Sequence, residues 1–253
     1  MAANKADPVW NRIRTEASEH TGDEPILASF LHATILNHTR LELALSFRLA
    51  SQLDSPTASS LLLREVMLEA MDSDPGICEA VRADLQAVED RDSACNHLYI
   101  PFLYFKGYHA LQTHRVAHWF KSHRFPILGP LFGRLNLWLT GCDIAPAAQF
   151  GPGLRITHGQ GIVVGAWTKA GRNCHLLQGV TLGAPSGRRI TEMPTLGDDV
   201  YMAAYSAAIG DITIGDRVFV GIQAVITEDV PSDSKVTSAG RPRIDTLARD
   251  LET

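Results

Sequence analysis

The chain has little charge of either sign to spare. Its 253 residues carry a formal charge of -5 and a pI near 6.0, which removes any global electrostatic reason to bind nucleic acid or an anionic membrane surface. No eighteen apolar residues stand together, and Met1 to Val9 contain no basic segment leading into an apolar run. Neither a membrane span nor a secretory leader is expected, which suits a cytoplasmic protein. Cysteines are few, and Cys78, Cys95, Cys142 and Cys174 form no C-x-x-C pair and stand near no histidine at metal-binding spacing. They read as reduced structural thiols, with no metal site among them.

What is present is apolar surface, 45% of residues, enough for one large domain or two modest ones. Up to residue 140 the periodicity is helical. Asp7 and Pro8 open a segment to about His20, and Glu24 and Pro25 open another whose Ile26, Phe30, Ala33, Ile35, Leu41, Leu45 and Leu49 recur near helical spacing until Asp54 and Pro56. Further helices are expected over Ala58 to Met71, Pro75 to Val88, Phe102 to His123 and Ile127 to Leu139. The basic and aromatic stretch from Arg115 to Arg124 invites a nucleic-acid reading, but one short cluster in an acidic chain fits helix packing better.

From Ile144 the period changes to six. Ile144, Phe150, Ile156, Ile162, Thr168, Cys174 and Val180 follow at sixth positions, and after an interruption so do Leu196, Met202, Ala208, Ile214, Val220 and Ile226. Twelve of these thirteen positions are apolar, the pattern of a parallel β-helix whose short strands each point one side chain inward. The fold class is therefore α+β, with an all-α domain over 1–140 and a hexapeptide-repeat β-helix over 141–253. Val180 to Leu196 exceeds one repeat by ten residues, so a loop within 184–195, around Ser186 to Pro194, is extruded; it serves function or is a tolerated surface insertion. The glycines at 151, 153, 159 and 161 stay in phase with the hexads and read as turns, not as a dinucleotide loop.

Among ten histidines, His158 stands apart because it lies outside the inward apolar positions, facing solvent or a neighbouring subunit. Imidazole ordinarily titrates near neutral pH and can take a proton from an attacking hydroxyl. Asp143, at the mouth of the repeats, could orient its other nitrogen, although a solvated turn aspartate is the plainer reading.

With Val9 to Asn11, Glu24 to Phe30, Arg91 and Asp92, Phe105 to Gln112, Gly161 to Gly165 and Gln178 to Gly183, nearly the whole chain resembles the serine O-acetyltransferase family. The resemblance implies a left-handed β-helix, trimers built through it, and dimers of those trimers formed through the helical domains. It implies acetyl-CoA as co-substrate, bound between adjacent β-helices, and direct attack of serine's hydroxyl on the thioester in a pathway to cysteine. His158 and Asp143 match the family's dyad, and Asp92 matches the aspartate that helps hold the acceptor's amino group. By position, Ala184, Ala204 and Ile222 line the coenzyme A groove, Tyr205 narrows it, and Arg241 or Arg243 lies near the phosphates, unless these two are ordinary surface cations.

Departures cluster around the acceptor. Thr157 stands where the family usually has aspartate, Ala166 where it has glutamate, and Glu192 and Met193 where it has arginine and a second histidine before Pro194. A carboxylate in place of an arginine fork removes the expected anchor for serine's carboxylate, and Arg188 and Arg189 are the candidate replacements. The acceptor is thus expected to be L-serine or a closely related small amino acid. The alternatives are an amino alcohol, an amine or a larger hydroxy compound, or a catalytically weakened paralogue that binds coenzyme A. The family's complex with cysteine synthase uses a C-terminal tail ending in isoleucine; this chain ends Asp250 to Thr253, so that route is not expected.

Overall fold

The structure, a computed structural model, describes residues 7–23, 25–92, 95–185 and 193–238. Helix α1, Pro8–Asp23, begins at a proline that needs no amide partner, with the Asp7 carboxylate accepting from Trp10 N at 3.1 Å. The segment after Glu24 is not one helix. It runs as α2, Pro25–Leu31, then a π turn, His32–Leu36, and resumes only as α3, Leu41–Leu53. Asn37, His38 and Thr39 are weak helix formers, and the His38 ring donates back to Ala33 O at 3.0 Å, closing the turn. Helices α4, Ser60–Ser73, and α5, Pro75–Arg91, follow, capped by Ser59 and Asp74.

The expected helix over 102–123 is also divided. It forms α6, Tyr99–Tyr104, and α7, Lys106–Ser122, separated by Phe105 in extended geometry. That single residue redirects the chain so that α7 starts against the β-strands. Helix α8, Leu128–Thr140, ends at Gly141, whose φ of 74° forms the left-handed cap that glycine accepts without strain. The helical core is built on Phe102, Phe120, Phe132, Leu45, Leu49 and Met67. The Arg115 to Arg124 stretch packs in its first part, with Arg115, Trp119 and Phe120 buried, whereas Lys121 to Arg124 are exposed.

The remaining strands wind as a three-sided parallel coil. One sheet contains β1 Asp143–Ile144, β4 Val163–Val164, β7 Thr181–Gly183, β10 Ala207–Ile209 and β13 Val225–Ile226. The second contains β2 Gln149–Phe150, β5 Lys169–Ala170, β8 Thr195–Leu196 and β11 Thr213–Ile214. The third contains β3 Arg155–Ile156, β6 His175–Leu176, β9 Tyr201–Met202, β12 Phe219–Val220 and β14 Lys235–Val236. The second residue of each strand points inward, and Ala110 and Leu111 of α7 join this second core.

The register corrects the hexad reading. Plain coils pair residues eighteen apart, as with Val164 and Leu182 or Ala208 and Ile226. Ile144 instead pairs with Val164, twenty residues on, so the first coil carries two extra residues, between Ile156 and Val164. The inward strand positions after Ile156 are therefore Val164, Ala170, Leu176 and Leu182, two residues beyond the expected Ile162, Thr168, Cys174 and Val180. The slip was invisible in the sequence because each hexad buries a second side chain two residues before the strand's own. Leu182 pairs with Ala208, twenty-six residues on, so the extruded loop has eight extra residues rather than ten.

Candidate active site

The two extra residues of the first coil are what bring His158 out. Between Ile156 and Val164 the chain swings wide at a corner, with His158 at φ 61° and Gly159 and Gly161 both at 74°. A non-glycine residue in this region costs roughly 1–2 kcal/mol, so His158 is held by its surroundings. Gly159 is one reason: a Cβ there would lie 2.9 Å from Cys142 Sγ. Gly107, in the first turn of α7, is another, since a Cβ on it would lie 2.1 Å from Ile156 O. The helix thus rests on the strand that leads into the corner, and Lys106 Nζ reaches over to Gln160 Oε1 at 3.0 Å.

A cavity of about 270 Å³ opens where the corner meets the helical half, and His158, Thr157, Arg155, Asp92, Lys106 and Phe105 border it. His158 is exposed to this space. Asp143 lies on β1 with an exposed side chain, and no hydrogen bond joins its carboxylate to the imidazole. Asp92 does reach the cavity, but its Oδ2 accepts from Arg155 Nη2 at 2.6 Å. Thr157 Oγ1 shares a hydrogen bond of 2.7 Å with His175 Nε2. Burial, with the nearby Arg155 and Arg91, pushes His175 down to about 3, so that ring is neutral.

Arg155, Lys106 and His175 were not singled out by sequence. Arg155 occupies an outward strand position, where a charge ordinarily meets water; the docking of α5 and α7 over β3 leaves it 7% exposed. Met193 does not border the cavity. Its thioether covers Gly165, where a Cβ would lie 2.1 Å from Sδ, and so it sits beside Ala166. Of the expected coenzyme A groove, Ala204 is buried, whereas Tyr205 and Ile222 are 59% and 57% exposed on the coil. Tyr205 has φ 58°, and its ring lies on Gly179. Ala184 is half-buried at the start of the extruded loop. Arg188, Arg189, Glu192, Arg241, Arg243 and the C-terminal tail lie outside the described residues.

The family model for the serine acetyltransferase N-terminal region matches residues 9–113. Over 240 residues the chain is 40% identical to serine acetyltransferase 2 of Arabidopsis thaliana, covering 94% of this chain and 73% of the plant protein. This chain belongs to the serine acetyltransferase family. The Escherichia coli serine acetyltransferase is 37% identical over 243 residues, covering 96% of this chain and 88% of the bacterial one. Among solved structures, the Brucella abortus serine acetyltransferase in complex with coenzyme A superposes with a TM-score of 0.91 at 34% identity, covering 95% and 96% of the two chains. The Neisseria gonorrhoeae enzyme in complex with serine gives 0.87 at 38% identity, covering 95% and 98%. The coil is accordingly the left-handed β-helix of hexapeptide repeats, and the protein is an acyltransferase that uses acetyl-CoA as co-substrate.

Proposed function

We propose that this serine acetyltransferase acetylates the side-chain hydroxyl of L-serine or a close relative, with His158 as the general base. The observation that carries the reading is the placement of His158, an exposed imidazole at positive φ, in a corner insertion, on the rim of a cavity of substrate size. Acetyl-CoA supplies an activated thioester carbonyl. His158 accepts the hydroxyl proton as the acceptor oxygen forms the ester bond; the carbon–sulfur bond breaks, and the leaving thiolate is reprotonated from the imidazolium. Asp143 orients the ring once the acceptor is bound, when catalytic hydrogen bonds tighten. Asp92 and Thr157, with Arg188, Arg189, Glu192 and Met193 of the loop, belong to the acceptor side. Ala184, Ala204, Tyr205, Ile222 and Arg241 or Arg243 belong to the donor side.

The helical half through residue 140 contributes the acceptor wall, and the β-helix contributes the base. Trimers through the coil, paired through the helical halves, complete the groove. This is supported by the apolar side chains a single chain leaves outside on the coil, Val163, Trp167, Tyr205, Ile222 and Val225. A cytoplasmic setting agrees with four free thiols.

His158→Ala tests the assignment. It is expected to retain coenzyme A binding by calorimetry while kcat for thiol release falls by roughly 10²-fold or more. An unchanged kcat removes His158 from the mechanism.

A further inference from the structure

The charges around the cavity bear on which acceptor it takes. Among the described residues bordering it, Asp92 is the carboxylate and Arg155 and Lys106 are the cations. Asp92 is matched by Arg155 at 2.6 Å. The guanidinium is fixed from a second side, because its other terminal nitrogen donates to Arg91 O. Buried and doubly held, Arg155 is not free to swing away and expose Asp92 to an incoming group. Lys106 donates a hydrogen bond to a neutral amide, Gln160 Oε1, and forms no ion pair among the described residues. Thr157 contributes a hydroxyl that is already engaged with His175, itself neutral. The described rim therefore holds an excess of one positive charge.

An ammonium group that leaves water needs an unpaired carboxylate to replace its hydration, and here the carboxylate is already matched by a better-placed guanidinium. A carboxylate entering the same space meets Lys106 and, among the described residues that border it, no uncompensated negative charge. Specificity is the difference between these two cases, and the guanidinium on Asp92 acts against the cationic competitor.

We propose that the cavity favours a small hydroxy acid that lacks an ammonium group, of the 3-hydroxypropanoate and glycerate class, over L-serine, and that Arg155 is the specificity-determining residue. The proposal rests on the reading of this cavity as the acceptor site of an acetyltransfer. L-Serine is accepted under it, but less well. Restoring an arginine and a histidine in the extruded loop alone does not reverse the preference, because Asp92 stays paired.

The test compares four acceptors on the full-length protein with acetyl-CoA: L-serine; 3-hydroxypropanoate, which is serine with hydrogen in place of the ammonium; glycerate, which has a hydroxyl there; and ethanolamine, which keeps the ammonium and lacks the carboxylate. Thiol release and product mass are read together. The hydroxy acids are expected to exceed L-serine in kcat/KM by about tenfold or more, with ethanolamine lowest. Arg155→Met, which releases Asp92, is expected to raise kcat/KM for L-serine by about tenfold, mainly through KM, and to lower it for the hydroxy acids. Arg155→Lys keeps the cation and is expected to keep the hydroxy-acid preference. Equal or better efficiency with L-serine in the unmodified protein overturns the proposal whatever the variants do, and an unchanged ratio in a folded Arg155→Met protein overturns the role of Arg155. No turnover on any of the four, with acetyl-CoA still bound, breaks the acetyltransfer reading itself.

Discussion

His158 and Asp143 stand on consecutive turns of the coil, with backbone bonds from Gly161 N to Gly141 O and from Asp143 N to Ile162 O tying the two stretches together. The imidazole is therefore held chiefly by its backbone, at φ 61° between Thr157 and Gly159, and not by the aspartate. That division predicts unequal effects. Asp143→Asn keeps the shape of the orienting group and removes its charge, so kcat is expected to fall by a smaller factor than in His158→Ala, with KM for acetyl-CoA unchanged. Steady-state kinetics on both variants decides it; an equal loss in the two would make Asp143 as direct a participant as the base. Both residues were legible in the sequence. Arg155 was not, because its meaning comes from Asp92, sixty-three positions away in the chain.

Helix α7 shows how an element sets a site to which it lends only its first turn. Its start depends on the break at Phe105, and its first turn lies so close to β3 that only glycine fits at 107. Gly107→Ala would place a methyl carbon 2.1 Å from Ile156 O, so helix and strand must separate. The expected cost is about 1–3 kcal/mol in urea unfolding, as for other overpacked contacts. Because the displaced strand leads into His158, kcat is expected to fall as well. A variant of unchanged activity would show that the corner is independent of the helix. The divided helix and the two-residue insertion share one reason for escaping sequence analysis. Apolar spacing is preserved on both sides of each break, so periodicity alone continues straight through.

At the scale of the molecule, guanidinium groups join the two cores. Arg115 forms a two-pronged pair with buried Asp84, at 2.8 and 2.9 Å, and also donates to Phe150 O and Gly151 O at the edge of the coil. Arg91 donates to Gly153 O and to Asn173 O in the same way. Arg115→Met strands the Asp84 charge in the interior and is expected to cost about 3–5 kcal/mol in urea unfolding, with Asp84→Asn in the same chain recovering much of it. A loss below 1 kcal/mol would show that water reaches Asp84 in the variant.

Acid is expected to unfold the protein through its buried rings. Burial lowers His109 to about 4 and His114 to about 3, from 6.5. In the unfolded chain these rings take up protons as the pH drops below 6.5, whereas in the folded protein they stay neutral. Their contribution to stability is complete above pH 6.5 and is lost progressively as the pH falls toward 3–4. Thermal midpoints measured from pH 7.5 to 4.5 are expected to decline, less steeply in His109→Gln. Parallel declines would place the proton uptake elsewhere.

The sequence by itself determined the α+β division of character, the hexapeptide coil and the presence of an extruded loop near 184–195, and it singled out His158 as the candidate base, since each rests on local periodicity or on a residue's own chemistry. Tertiary structure alone decided the coil register, because two buried positions per hexad make frames two residues apart equally apolar. It also decided the pairing of charges at the cavity beside His158. Asp92 comes from the end of a helix and Arg155 from a strand, and neither sequence position carries any sign of the other. Only the docking of the helical half on the coil buries Arg155 and brings the partly exposed Asp92 onto it, turning two ordinary surface charges into one fixed, neutral pair.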